Sequence, residues 1–125
     1  MWLYYLLKTM SAIISHLPYK LVVNIGVVLG HLYWRIAKKQ RIRAEETMRE
    51  RLGVSEAKAR ENIKGLFVKT GITFLEILYM PALNKENIRG LVAIDRPEVI
   101  WEALAERKGV VILACHMDNW EWLGA

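Results

Sequence analysis

The sequence predicts an α/β protein in which amino-terminal hydrophobic helices precede the start of an α/β domain. Three observations predict it. The amino end is apolar with a single proline break at Leu17-Pro18, as a pair of helices would be. A short helix after Asp95 closes directly into Val110-Val111-Ile112-Leu113-Ala114, an unbroken apolar run that suits a central strand covered on both faces. That run leads into Cys115-His116, and the carboxyl ends of buried strands are where α/β folds place their functional groups.

Composition narrows the class. The chain has 125 residues, 54% of them apolar and 25% charged, which excludes an intrinsically disordered chain. One cysteine excludes a disulfide framework and a cysteine-based zinc cluster. The net charge of +5 is unevenly spread. Residues 1–43 hold seven basic side chains and no acid, whereas residues 44–125 hold eleven basic and thirteen acidic ones. A basic, apolar amino end points to membrane lipids rather than nucleic acid, for which no recognition motif is present. The reading therefore divides the chain into a membrane-associating region, 1–43, and a second region, 44–125.

Within the first region two helices are expected, over about 2–16 and 19–37. Their longest stretch without a charged side chain, Leu21–Trp34, is 14 residues, short of the roughly 20 that a spanning helix needs. Trp2, Tyr4, Tyr5, Tyr19, Tyr33 and Trp34 lie near the segment ends, where aromatic rings favour the headgroup layer. The basic run Arg35–Arg43 would face anionic lipid on the cytoplasmic side. The competing reading makes both segments core helices with a solvated basic face.

The next segment, Ile42–Leu52, is polar, and Gly53 suits a left-handed helix end. Ser55 is placed to cap a long helix with Glu56 and Glu61 near its positive end. Ile63, Leu66, Phe67, Phe74, Leu75 and Leu78 form its apolar stripe, and Pro81 ends it. Asp95 is the expected cap of the following helix, with Glu98 reaching back and Val99, Ile100 and Leu104 on its buried face.

Chemistry concentrates at His116 and Glu121. On one continuous helix a spacing of five turns two side chains about 140° apart. They meet only if His116 precedes a helix and Glu121 stands in its first turn, and Asp118 or Asn119 can cap such a helix. An imidazole accepts a proton near neutral pH, and a carboxylate beside it fixes its tautomer and steadies the imidazolium. The pair could then deprotonate a hydroxyl for attack on a carbonyl, with no protein nucleophile. Against this, Asp118-x-x-Glu121 resembles a capping box, which would make Glu121 structural. Neighbours on a strand point to opposite faces, which disfavours a Cys115–His116 couple. A metal centre lacks ligands, since no second histidine is near and HExxH is absent.

The segment Gly-Val-Val-Ile-Leu-Ala-Cys-His-Met-Asp-Asn-Trp-Glu, residues 109–121, resembles the first motif of the bacterial lipid A biosynthesis (lauroyl/myristoyl) acyltransferases of the lysophospholipid acyltransferase superfamily. There an apolar strand leads into His-x4-Asp/Glu, often ending Asn-Trp-Glu. The aromatic amino end, Leu17-Pro18, Gly26-to-Gly30 before a basic run, and a long helix ending near Pro81 agree with it. Asp118 stands where the family commonly has Gly. The resemblance implies an O-acyltransferase that moves a fatty acyl chain from acyl carrier protein to a hydroxyl of a lipid A precursor in lipopolysaccharide biosynthesis. His116 would be the general base and Glu121 its partner, with no metal or organic cofactor, at the cytoplasmic face of the bacterial inner membrane. It covers the whole chain but under half of a typical member, and the later Arg-bearing motifs are missing, so a truncated form is expected. A glycerophospholipid-type acyltransferase, which often has Asn before His and Asp as the acid, is the nearest rival. A non-catalytic, membrane-anchored interaction protein is the alternative from another class.

Overall fold

The computed structural model describes residues 1–113 and 119–124. Every regular element among them is helical: α1 (Trp2–Ile14), α2 (Tyr19–Ile36), α3 (Lys38–Leu52), α4 (Glu56–Tyr79), a 3₁₀ turn (Met80–Ala82), α5 (Ile88–Leu91), α6 (Glu98–Ala105) and a closing 3₁₀ helix (Trp120–Gly124). The chain divides into two compact units, Met1–Ala82 and Leu83–Ala125. This boundary follows packing, whereas the division at residue 43 follows composition.

The α/β expectation is overturned. Val110–Leu113 form no strand, and Val111, Ile112 and Leu113 are 88%, 70% and 95% exposed. A strand must hand its N–H and C=O groups to a neighbouring strand. No described segment offers one, so apolar composition alone does not make this run a strand. Nor is any described helix long and apolar enough to cross a membrane.

The first unit is built on α2 and α4. On α2 the buried positions are Val22, Gly26, Gly30 and Trp34, spaced by four. On α4 the row Ala59, Ile63, Phe67, Gly71, Leu75 and Tyr79 repeats the same spacing. Rows four residues apart are the ridges that interlock when helices pack. At the middle, only hydrogen fits. A Cβ on Gly26 would stand 2.6 Å from Ile72 Cα, one on Gly30 2.5 Å from Val68 Cα, and one on Gly71 2.5 Å from Gly30 N. All three neighbours are backbone atoms, which cannot swing aside. Below this crossing, Trp34 meets Phe67 edge-on at 5.5 Å, and Ala37 and Ile63 complete the cluster. Of the stripe expected on α4, Leu66 and Phe74 instead face outward, 54% and 44% exposed.

Helix α3 begins at Lys38, directly after Ala37 breaks α2 with φ −83° and ψ 49°. It lays Ala44 and Met48 against the cluster, and Arg41 stacks over Trp34, 4.7 Å from the ring centre. Gly53 ends it in the left-handed region at φ 63°. Ser55 then caps α4, its hydroxyl accepting from Lys58 N–H at 3.3 Å. Helix α1 is held through buried Ile14 and through the Ser11 hydroxyl, which donates to Leu78 O at 2.7 Å. Its first eight residues, 2–9, are exposed.

None of the described residues in the second unit is fully buried. Asn84 Oδ1 accepts from Glu86 and Asn87 N–H at 2.9 Å each, while Asn87 Oδ1 accepts from Asn84 N–H, setting the turn into α5. Pro97, rather than Asp95, occupies the cap position of α6, with no side-chain cap bond. Val99 and Leu104, expected to be buried, are 53% and 47% exposed.

Candidate active site

Glu121 is the one expected site residue that the structure describes. It stands in the first turn of the closing 3₁₀ helix, which begins right after Asn119. The sequence required this placement for a carboxylate to lie near a histidine ahead of the helix. The turn is closed by Trp122 N–H donating to Asn119 O at 3.3 Å. Glu121 is half-buried, and its Oε2 is shielded from solvent while accepting no hydrogen bond from a described residue. A shielded carboxylate oxygen without a donor is costly to keep and is suited to receive one. His116 lies outside the described residues, as do Cys115 and Asp118, and with Asp118 the capping-box alternative. Among the described residues no three His, Cys, Asp or Glu side chains gather as a metal site would require.

Two features of the first unit are missing from the sequence reading. One is a partly buried polar pair: the half-buried Tyr19 donates its hydroxyl to Glu76 Oε1 at 2.5 Å, with Glu76 only 9% exposed. Burial, then the hydrogen bond and charge of Glu76, push the Tyr19 phenol well above its ordinary range. The signal for it is an acid inside the apolar run Phe74-Leu75-Glu76-Ile77-Leu78. The other is an open groove of about 580 Å³ between α3 and α4, floored by Ala44, Met48 and Ile63 and edged by Arg43 and Arg51.

The family model described as bacterial lipid A biosynthesis acyltransferase matches residues 1–125, the whole chain. The chain belongs to this family. It is therefore assigned to acyl transfer in lipid A biosynthesis. No curated protein and no solved structure matches the chain.

Proposed function

We propose that this chain carries the base and the positioning acid of an acyltransferase that esterifies a hydroxyl of a lipid A precursor with a fatty acyl group taken from acyl carrier protein. His116 is the general base. It removes the proton of the acceptor hydroxyl as the oxygen bonds to the acyl carbonyl carbon; the tetrahedral adduct collapses, the bond to the carrier breaks, and the leaving group takes the proton back from the imidazolium. Glu121 positions the ring and offsets its transient charge. The observation that carries this reading is Glu121 itself, a shielded carboxylate oxygen without a donor in the first turn after the histidine, in a chain matched along its full length by the family.

The lipid acceptor and the carrier fit the surroundings proposed for the protein, the cytoplasmic face of the bacterial inner membrane. Trp2, Leu3, Tyr4, Tyr5, Leu6 and Leu7 are all exposed on α1. Basic residues between Arg35 and Arg43 suit acidic partners.

Acyl transfer from acyl carrier protein to a lipid A precursor, measured with the protein that contains this chain, tests the assignment. His116→Ala should lower kcat by about 10²–10⁴-fold with little change in KM. Glu121→Gln should lower kcat and alter the lower limb of its pH profile, with Glu121→Asp recovering part of the rate. Normal turnover in His116→Ala rejects the general base.

A further inference from the structure

We propose that the α3–α4 groove of one chain takes helix α6 of a second copy. The inference is independent of acyl transfer and rests on two unfilled surfaces of opposite character. The groove has an apolar floor of Ala44, Met48 and Ile63, and a rim on which Arg43 and Arg51 form no ion pair with any described residue. The two guanidinium-bearing positions are eight residues apart on α3, two turns or about 12 Å along its axis.

Helix α6, Glu-Val-Ile-Trp-Glu-Ala-Leu-Ala, is the complement. Ile100 and Ala103 turn inward, so the outer face carries Glu98, Trp101 and Glu102. Glu98 and Glu102 lie one turn apart, about 6 Å, within the span of the two arginines. Trp101 is 68% exposed. A large aromatic with carboxylates beside it is the type of anchor that fills an apolar hollow at an interface, and Met48 at the floor can adjust its shape to receive the indole. Arginine pairs with carboxylates in a planar two-pronged geometry, which fixes the register of the contact.

An anionic lipid surface would suit the groove less well. Glu46 and Glu50 stand on the flank of α3 beside Arg49, around a second hollow of about 360 Å³. A bilayer surface would meet those carboxylates, whereas one docked helix needs only the groove. Each chain carries one groove and one α6, so the contact closes pairs or extends as a chain of copies.

The test uses the 125-residue chain in non-ionic detergent, which occupies the exposed face of α1. Two pools carry different amino-terminal fluorophores, and energy transfer reports association. Transfer is expected for wild type, weakening as sodium chloride rises from 0.05 to 0.5 M. The double variants Arg43→Glu with Arg51→Glu, and Glu98→Arg with Glu102→Arg, should each lose affinity for themselves at least tenfold. Mixing the two should restore transfer, because each reversed groove then meets a reversed helix. Trp101→Ala should also weaken association, leaving the helical circular dichroism unchanged. Absence of transfer in wild type, transfer indifferent to salt and to both reversals, or failure of the mixture to recover would each overturn the proposal. So would Arg43- and Arg51-dependent binding to phosphatidylglycerol vesicles in place of chain-to-chain transfer.

Discussion

Tyr19 and Glu76 show how a single partly buried pair links two helices and carries a pH signature. The phenol donates to a carboxylate that is almost wholly withdrawn from water, so removing the hydroxyl leaves Glu76 Oε1 without that donor. Tyr19→Phe should destabilise the protein by about 1–3 kcal/mol near neutral pH. Burial and the neighbouring carboxylate hold the Tyr19 proton in the folded state above the usual tyrosine value of 10.0. The unfolded chain releases that proton first as pH climbs past about 10. The contribution of Tyr19 is therefore complete below that pH and falls steadily as pH rises toward the higher folded value. Denaturant melts of wild type and Tyr19→Phe from pH 8 to 11.5 should converge at the alkaline end; a constant gap would contradict the assignment. Residue types made one local placement legible in advance. Glu121 stands in a first turn, the place expected of it from a spacing of five after a histidine, while His116 lies outside the described residues. The Tyr19–Glu76 pair was illegible because 57 residues separate its members.

Elements with their own chemical punctuation were legible, and those that depend on a partner were not. Gly53 and Ser55 end and restart the chain as their conformational and hydrogen-bonding preferences dictate. Pro18 separates α1 from α2, and Pro81 stands two residues beyond the end of α4. The run Val110–Leu113 has a strand's composition, but pairing is a property of two segments, and the sequence of one cannot supply it. The α2–α4 crossing was similarly hidden, since Gly26 and Gly30 acquire their meaning only opposite Gly71. Two glycines of α4 separate the effects of close approach and helix propensity. Gly65 has open space where a Cβ would go, so Gly65→Ala should stabilise by about 0.5–1 kcal/mol through propensity alone. Gly71→Ala makes the same propensity gain but drives a methyl into the backbone of α2, and should destabilise by about 1–3 kcal/mol net. Opposite shifts in melting temperature are expected; a stabilising Gly71→Ala would mean that the crossing is looser than described.

Across the whole molecule, apolar surface is distributed in a way that a soluble exterior does not explain. Trp2, Leu3, Tyr4, Tyr5, Leu6 and Leu7 surround two turns of α1 on every side, yet the only buried residue of that helix is Ile14. A helix apolar all round ordinarily lies in an apolar medium, and patches of this kind mark membrane or partner contact. No described helix is long and apolar enough to span a bilayer, so the contact proposed for α1 is with the interfacial layer, where tryptophan and tyrosine rings are favoured. Deleting the basic amino-terminal region is a poor test of this, because Gly26, Gly30 and Trp34 of α2 form half of the first unit's core and their loss would unfold it. Substituting outward side chains spares that core. Trp2→Ser, Tyr4→Ser and Leu6→Ser together remove three large exposed groups; even partial insertion of about 1 kcal/mol each would make them worth roughly 100-fold in partitioning. Flotation with vesicles of phosphatidylethanolamine and phosphatidylglycerol should therefore show at least a tenfold loss of bound protein for the triple variant, at unchanged helical circular dichroism. Equal flotation of wild type and variant would place the membrane-contacting surface elsewhere than on α1.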